Sequence, residues 1–161
     1  MPGPRRSVFA LAVGLVSLAA PAAETPLVPY TVCEILHDKA AYEGKPVAAL
    51  GRYSFRQDGR WLGEQGCEEA ITNPPAIWLA EDTKDGPRPP EDFELDGAVL
   101  SRKLADIRKR TSLGKFRFGT PDYDRWAVVY GRVESRPGDA AKKAAAELVF
   151  RGDGVVVFLT P

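Results

Sequence analysis

Pro46-Val-Ala-Ala-Leu-Gly-Arg-Tyr-Ser-Phe-Arg-Gln57, then Asp58-Gly59, then Arg60-Trp-Leu-Gly-Glu64, is the clearest strand–turn–strand passage in this 161-residue chain. Val47, Ala49, Tyr53 and Phe55 alternate with Ala48, Leu50, Ser54 and Arg56, the two-residue period of a strand. Gly51 in its middle predicts a bulge or a sharp bend. Asp58-Gly59 is a strong two-residue hairpin signal, with Arg60–Glu64 as the returning strand.

Downstream, a loop carries Cys67 and runs through Asn73-Pro74-Pro75 into a third strand, Ala76–Ala80. Residues 81–95 are acidic and Pro-rich, which reads as an exposed connector. Asp96 is placed to cap a helix over 97–111. Leu100, Leu104 and Ile107 form its apolar stripe, and Arg108, Lys109 and Arg110 complement its carboxyl end. Arg125–Ser135 is a strand with both faces apolar, 136–143 a turn region, and 147–159 strand again. Gly152-Asp153-Gly154 interrupts that last stretch, as a second hairpin turn or as a bulge in one long strand. Val47–Arg56 echoes Ala127–Arg136, each placing Gly-Arg after four apolar residues, as neighbours in one sheet would. Upstream, residues 23–30 are Pro-rich and extended. Thr31-Val32-Cys33-Glu34 is a capping box that opens a short helix from Val32 to about Tyr42, and Gly44 and Pro46 stop it.

The first 22 residues read as a secretory signal peptide: Arg5 and Arg6, an apolar run from Val8 to Ala20, and Ala20-Pro21-Ala22 before a cut after Ala22 or Ala23. The run, about 13 residues, is short for a spanning helix of about 20, so no stable membrane insertion is expected after cleavage. The protein is therefore expected to be exported, periplasmic or secreted. In an oxidising compartment the even cysteine count reads as one disulfide, Cys33–Cys67, across 34 residues.

Without its first helix, the element order is that of the oligonucleotide/oligosaccharide-binding (OB) fold, a five-stranded Greek-key barrel with a helix between its third and fourth strands. Val32-Cys33-Glu34-Ile35-Leu36, then Tyr42-Glu43-Gly44-Lys45-Pro46-Val47 and Leu50-Gly51-Arg52, is similar to the lead-in of exported bacterial OB-fold-like proteins of an uncharacterised group. The resemblance implies a mainly β domain over residues 31–161, a five- to six-stranded barrel behind a short N-terminal helix. It implies binding more than catalysis. The long acidic connector and the carboxyl-terminal stretch depart from the pattern.

Twenty-two basic against 22 acidic residues disfavour a strongly electrostatic nucleic-acid binder. One His and two Cys fall a ligand short of a zinc site built from those residues alone. No phosphate-cradling glycine loop, serine nucleophile elbow or catalytic pair of glutamates stands out, so no cofactor and no catalytic residue is assigned. The usual ligand face of the fold spans its second and third strands. Here Trp61 and Trp78, with Arg56 and Arg60 at the hairpin, would suit sugar rings, an anionic polymer or a partner protein of the envelope. The same tryptophans would serve equally as barrel core. The basic stretch Arg102, Lys103, Arg108, Lys109, Arg110, Lys115, Arg117 reads as an anion-binding strip, or as a solvated helix face neutralised by the acidic connector. A small secreted hydrolase would have to use His37, or Asp122 with Asp124. Those residues read equally as an exposed histidine and as turn-shaping aspartates. Arg151-Gly-Asp153 reads as turn chemistry.

Overall fold

β2 (Pro46–Arg56) and β3 (Gly59–Gly63) form the expected hairpin, with Arg56 opposite Gly59 and Arg52 opposite Gly63. The turn is one residue earlier than the Asp-Gly signal suggests. Gln57 and Asp58 make it with negative φ, and Gly59 opens β3 at φ +138°. A computed structural model describes residues 25–67, 75–114, 122–134, 144–152 and 156–159. The signal-peptide segment 1–22, Asn73-Pro74, Lys115–Phe118, the turn region 136–143 and Asp153-Gly154 lie outside the described residues.

β4 (Ala76–Glu81) pairs antiparallel with β3. β5 (Tyr123–Glu134) lies antiparallel along the whole of β2, from Phe55 opposite Tyr123 to Pro46 opposite Arg132. β6 (Ala146–Phe150) runs parallel to β4 and antiparallel to β5, closing a five-stranded barrel in the order β2-β3-β4-β6-β5-β2. With α3 (Gly97–Arg110) between its third and fourth strands, the barrel is OB-like and the molecule mainly β. The two echoing segments are indeed sheet neighbours. Their register passes through Gly51 unbroken, so Gly51 is not a bulge: a side chain there would reach within 2.9 Å of Val32 Cγ2.

Several local expectations are corrected. The extended lead-in contributes β1 (Pro29–Thr31), parallel to β2 and outside the barrel. The single helix over 32–42 is two, α1 (Val32–His37) and α2 (Lys39–Tyr42), giving three helices among the described residues. Asp38 divides them: its backbone leaves the helical region, and its carboxylate caps α2 by accepting from the Ala41 N–H at 3.2 Å. β7 (Val156–Phe158) follows β6 along the same edge of β5 in the same direction, so β6 and β7 are not the two arms of a hairpin. The acidic connector is exposed over most of its length, as expected, and is anchored near its end. Leu27 bridges to Leu95, and Phe93 packs edge-on against Tyr130. Nor does it supply the partners described for the basic helix: Lys103 pairs with Glu34, Arg110 with Glu64 and Lys109 with Asp106.

One apolar core continues from inside the barrel onto the covered part of its outer face. Leu62, Ile77 and Leu148 share the inner strand parity and Leu50 and Val128 the outer one, and with Val32 and Ile35 of α1 and Ile107 of α3 all are essentially inaccessible to water. Each such side chain contributes about 1.5–3 kcal/mol of burial. α3 begins as its sequence requires, with Asp96 accepting from the Val99 N–H at 3.0 Å, and it presents Leu100, Leu104 and Ile107 to the core. The helices dock where β2 passes Gly51 and the chain leaves β3 at Glu64. Cys33 and Cys67 are bonded there, with Cα atoms 5.3 Å apart. The hairpin end of the barrel is left to side chains.

Candidate functional site

Strand register lays a row of residues across the outer surface: Asp124 on β5 opposite Ser54 on β2, Ser54 opposite Trp61 on β3, and Trp61 opposite Trp78 on β4. Paired residues share a face, so Trp61 and Trp78 stand side by side. Their rings are nearly parallel, 17° apart, with centroids separated by 6.1 Å. Both are half-buried, whereas Trp126 is buried. Trp61 also walls a recess of about 510 Å3 shared with Arg56, Gln57, Asp58 and Asp122. That volume falls within the range of small-ligand sites, roughly 300–1,000 Å3.

Gly59 seats Trp78. The Trp78 ring lies against the Gly59 Cα, where any Cβ would overlap it. The shift of the turn to Gln57-Asp58 brings Gly59 into the strand beneath the ring. The sequence marks this glycine as a turn residue only; its second role depends on a cross-strand neighbour.

The two arginines expected beside the tryptophans part company. Arg56 is on the Trp61 side, donating to Asp124 Oδ1 at 2.6 Å and to the Tyr123 carbonyl at 2.7 Å. Arg60, one residue before Trp61, points to the other face. It pairs with Glu81 at 2.8 Å, bonds the Tyr53 hydroxyl and lies over the Phe150 ring. Burial opposes its charge, yet the bonds to Glu81 and Tyr53 hold the guanidinium more firmly protonated than usual.

Asp124 anchors the row. Its side chain is 3% exposed and accepts from Arg56, from the Ser54 hydroxyl and from the Gly114 N–H. Burial would raise its pKa; these donors outweigh burial and hold the carboxyl below the usual aspartate range. A structural clamp, with both oxygens engaged, is what remains of the expected Asp122/Asp124 pair. His37 is exposed in the last turn of α1. The hydrolase candidates therefore sit on separate elements.

Sulfur and carboxylate atoms of Cys33, Cys67 and Glu64 approach within 4.8 Å of one another, a spacing a metal ion would accept. The donors are already spent. The sulfurs bond each other, and the buried Glu64 carboxylate accepts from the Cys33 N–H at 2.7 Å and from Arg110. Nothing in the sequence marks Glu64 and Arg110, 46 residues apart, as partners.

Comparison of the chain with family models, with curated proteins and with solved structures finds no match. The likeness to the OB fold therefore rests on barrel topology.

Proposed function

We propose that the protein is a non-catalytic binding module that works outside the cytosol, recognising a glycan or an envelope protein through the β3–β4 face. The stacked, partly exposed Trp61–Trp78 pair carries this reading. Tryptophan faces offer large apolar area with little conformational entropy to lose, which suits the C–H faces of a sugar ring. Export is supported by the signal-peptide pattern at the amino terminus and by a disulfide that an oxidising compartment would preserve.

Charge balance at the hairpin arginines favours a neutral glycan over an anionic polymer. Arg56 is matched by Asp124, and Arg60 is matched by Glu81 on the other side of the sheet. Neither guanidinium is left in search of a phosphate or sulfate.

A glycan array probed with the purified, oxidised protein tests this, followed by calorimetry on any hit. Trp61→Ala and Trp78→Ala should each weaken binding by about 2 kcal/mol, roughly thirtyfold in Kd. Absence of any retained glycan, or binding by both variants as tight as that of the unaltered protein, would overturn the glycan reading.

A further inference from the structure

The side chains on the opposite strand parity meet at the hairpin end of the barrel. Tyr53 on β2 faces Arg125 on β5, and Phe55 faces Tyr123. Phe158 on β7 faces Ala127 and meets Tyr53 edge-on, with centroids 5.3 Å apart. Tyr123 stacks on both Phe55 and Tyr53, at 5.5 and 6.0 Å. The result is an aromatic rim in which Phe158 stays 43% exposed. A recess of about 470 Å3 opens there, lined by Gly114, Tyr123, Asp124, Arg125 and Phe158.

Among the described residues, the charges at this rim do not cancel. Arg60 is taken by Glu81, and Asp124, the acidic group of the lining, is taken by Arg56, Ser54 and Gly114. Arg125 is left over. Among the described residues it contacts rings: its guanidinium carbon lies 5.8 Å from the Tyr123 centroid and 5.4 Å from that of Phe158. Stacking occupies the π face of a guanidinium and leaves its N–H donors, which lie in the plane, free to meet a planar anion with two parallel bonds. An unmatched planar cation beside an exposed phenyl ring, over an open recess, has the makings of a site for a ligand with a carboxylate at one end and a flat apolar body at the other.

We propose that the barrel mouth binds small aromatic carboxylates, with Arg125 taking the carboxylate and Phe158 and Tyr123 covering the ring. This site lies on the strand face opposite the tryptophans and does not depend on the glycan reading.

Titration of 15N-labelled protein with sodium benzoate, benzyl alcohol and benzylamine tests it. Benzoate should bind with a Kd on the order of 1 mM, within reach of a fragment of that size, and shift the amides of Gly114, Arg125 and Phe158. Benzyl alcohol and benzylamine should bind at least tenfold more weakly, a comparison made on the unaltered protein and so independent of any folding defect. Arg125→Gln, at an exposed position, should lose benzoate binding by about tenfold, while Trp61→Ala keeps it. Equal shifts by all three probes, benzoate shifts centred elsewhere, or full retention by Arg125→Gln would overturn the proposal.

Discussion

The two ends of the barrel handle polar groups differently. At the helix end, Glu64 is buried, yet both of its oxygens have protein donors, and the Cys33–Cys67 bond ties α1 to the chain just past β3. At the hairpin end, the indoles of Trp61 and Trp78 are partly exposed, Phe158 faces solvent, and Arg125 has rings for neighbours and no carboxylate among the described residues. Glu64 has spent its bonding capacity within the protein; among the described residues, Arg125 has kept some. The contrast locates recognition on physical grounds, because a ligand gains most where the protein has left donors and apolar faces unsatisfied.

Loss of the staple should break the comparison most strongly. Cys33→Ser with Cys67→Ser should cost about 3–4 kcal/mol, the value expected from opening a loop of this length. Thermal unfolding would show it as a fall of roughly 10 °C. Stability equal to that of the oxidised protein would mean that the helix end does not lean on its crosslink.

Glu64→Gln keeps the shape and removes the charge that Arg110 and the Cys33 N–H share. Because Arg110 retains partial access to water, the cost should be about 2–3 kcal/mol, at the low end for a disrupted buried pair. A lower urea midpoint at unchanged slope is the expected signature.

Gly59→Ala acts at the other end. The alanine must hold φ near +138° and displace the Trp78 ring, at a combined cost of about 1–2 kcal/mol. Near-ultraviolet circular dichroism should report loss of the stacked indoles. An unchanged spectrum would show that the ring does not need this seat.

Asp124→Asn should have the smallest effect, about 1 kcal/mol at neutral pH, from weakening charge-assisted bonds that are also partly exposed. Its folded pKa lies below the unfolded value of about 3.9. The stabilisation it supplies is therefore present above that pH and fades as pH falls through the folded value. The native protein should lose this increment between about pH 4 and the folded pKa, and the variant should lack that part of the acid dependence. Parallel stability curves for the two proteins below pH 4 would rule out the clamp.

Much of the architecture is written locally. The Thr31–Glu34 capping box, the Asp96 cap, the Leu100/Leu104/Ile107 stripe and the alternation of β2 and β5 each involve residues within a few positions of one another, and each forms as read. Local readings were sharpened where a neighbour from elsewhere intervened. The Asp58-Gly59 hairpin forms with its turn one residue earlier and with Gly59 beneath the Trp78 ring, and the extended lead-in pairs with the edge of β2.

Residue order alone determined that Arg60 and Trp61 point to opposite faces of a strand, because successive side chains alternate. It also determined that the chain would arrange its elements in OB-like succession. Which face looks outward was decided by tertiary structure, since only closure of β2 through β6 into a barrel distinguishes inside from outside. That closure set Trp61 beside Trp78 on the outer surface and gathered Tyr53, Tyr123, Arg125 and Phe158 at the mouth. The pairing of Glu64 with Arg110 has the same origin: attraction between distant residues acts only after packing has brought them together.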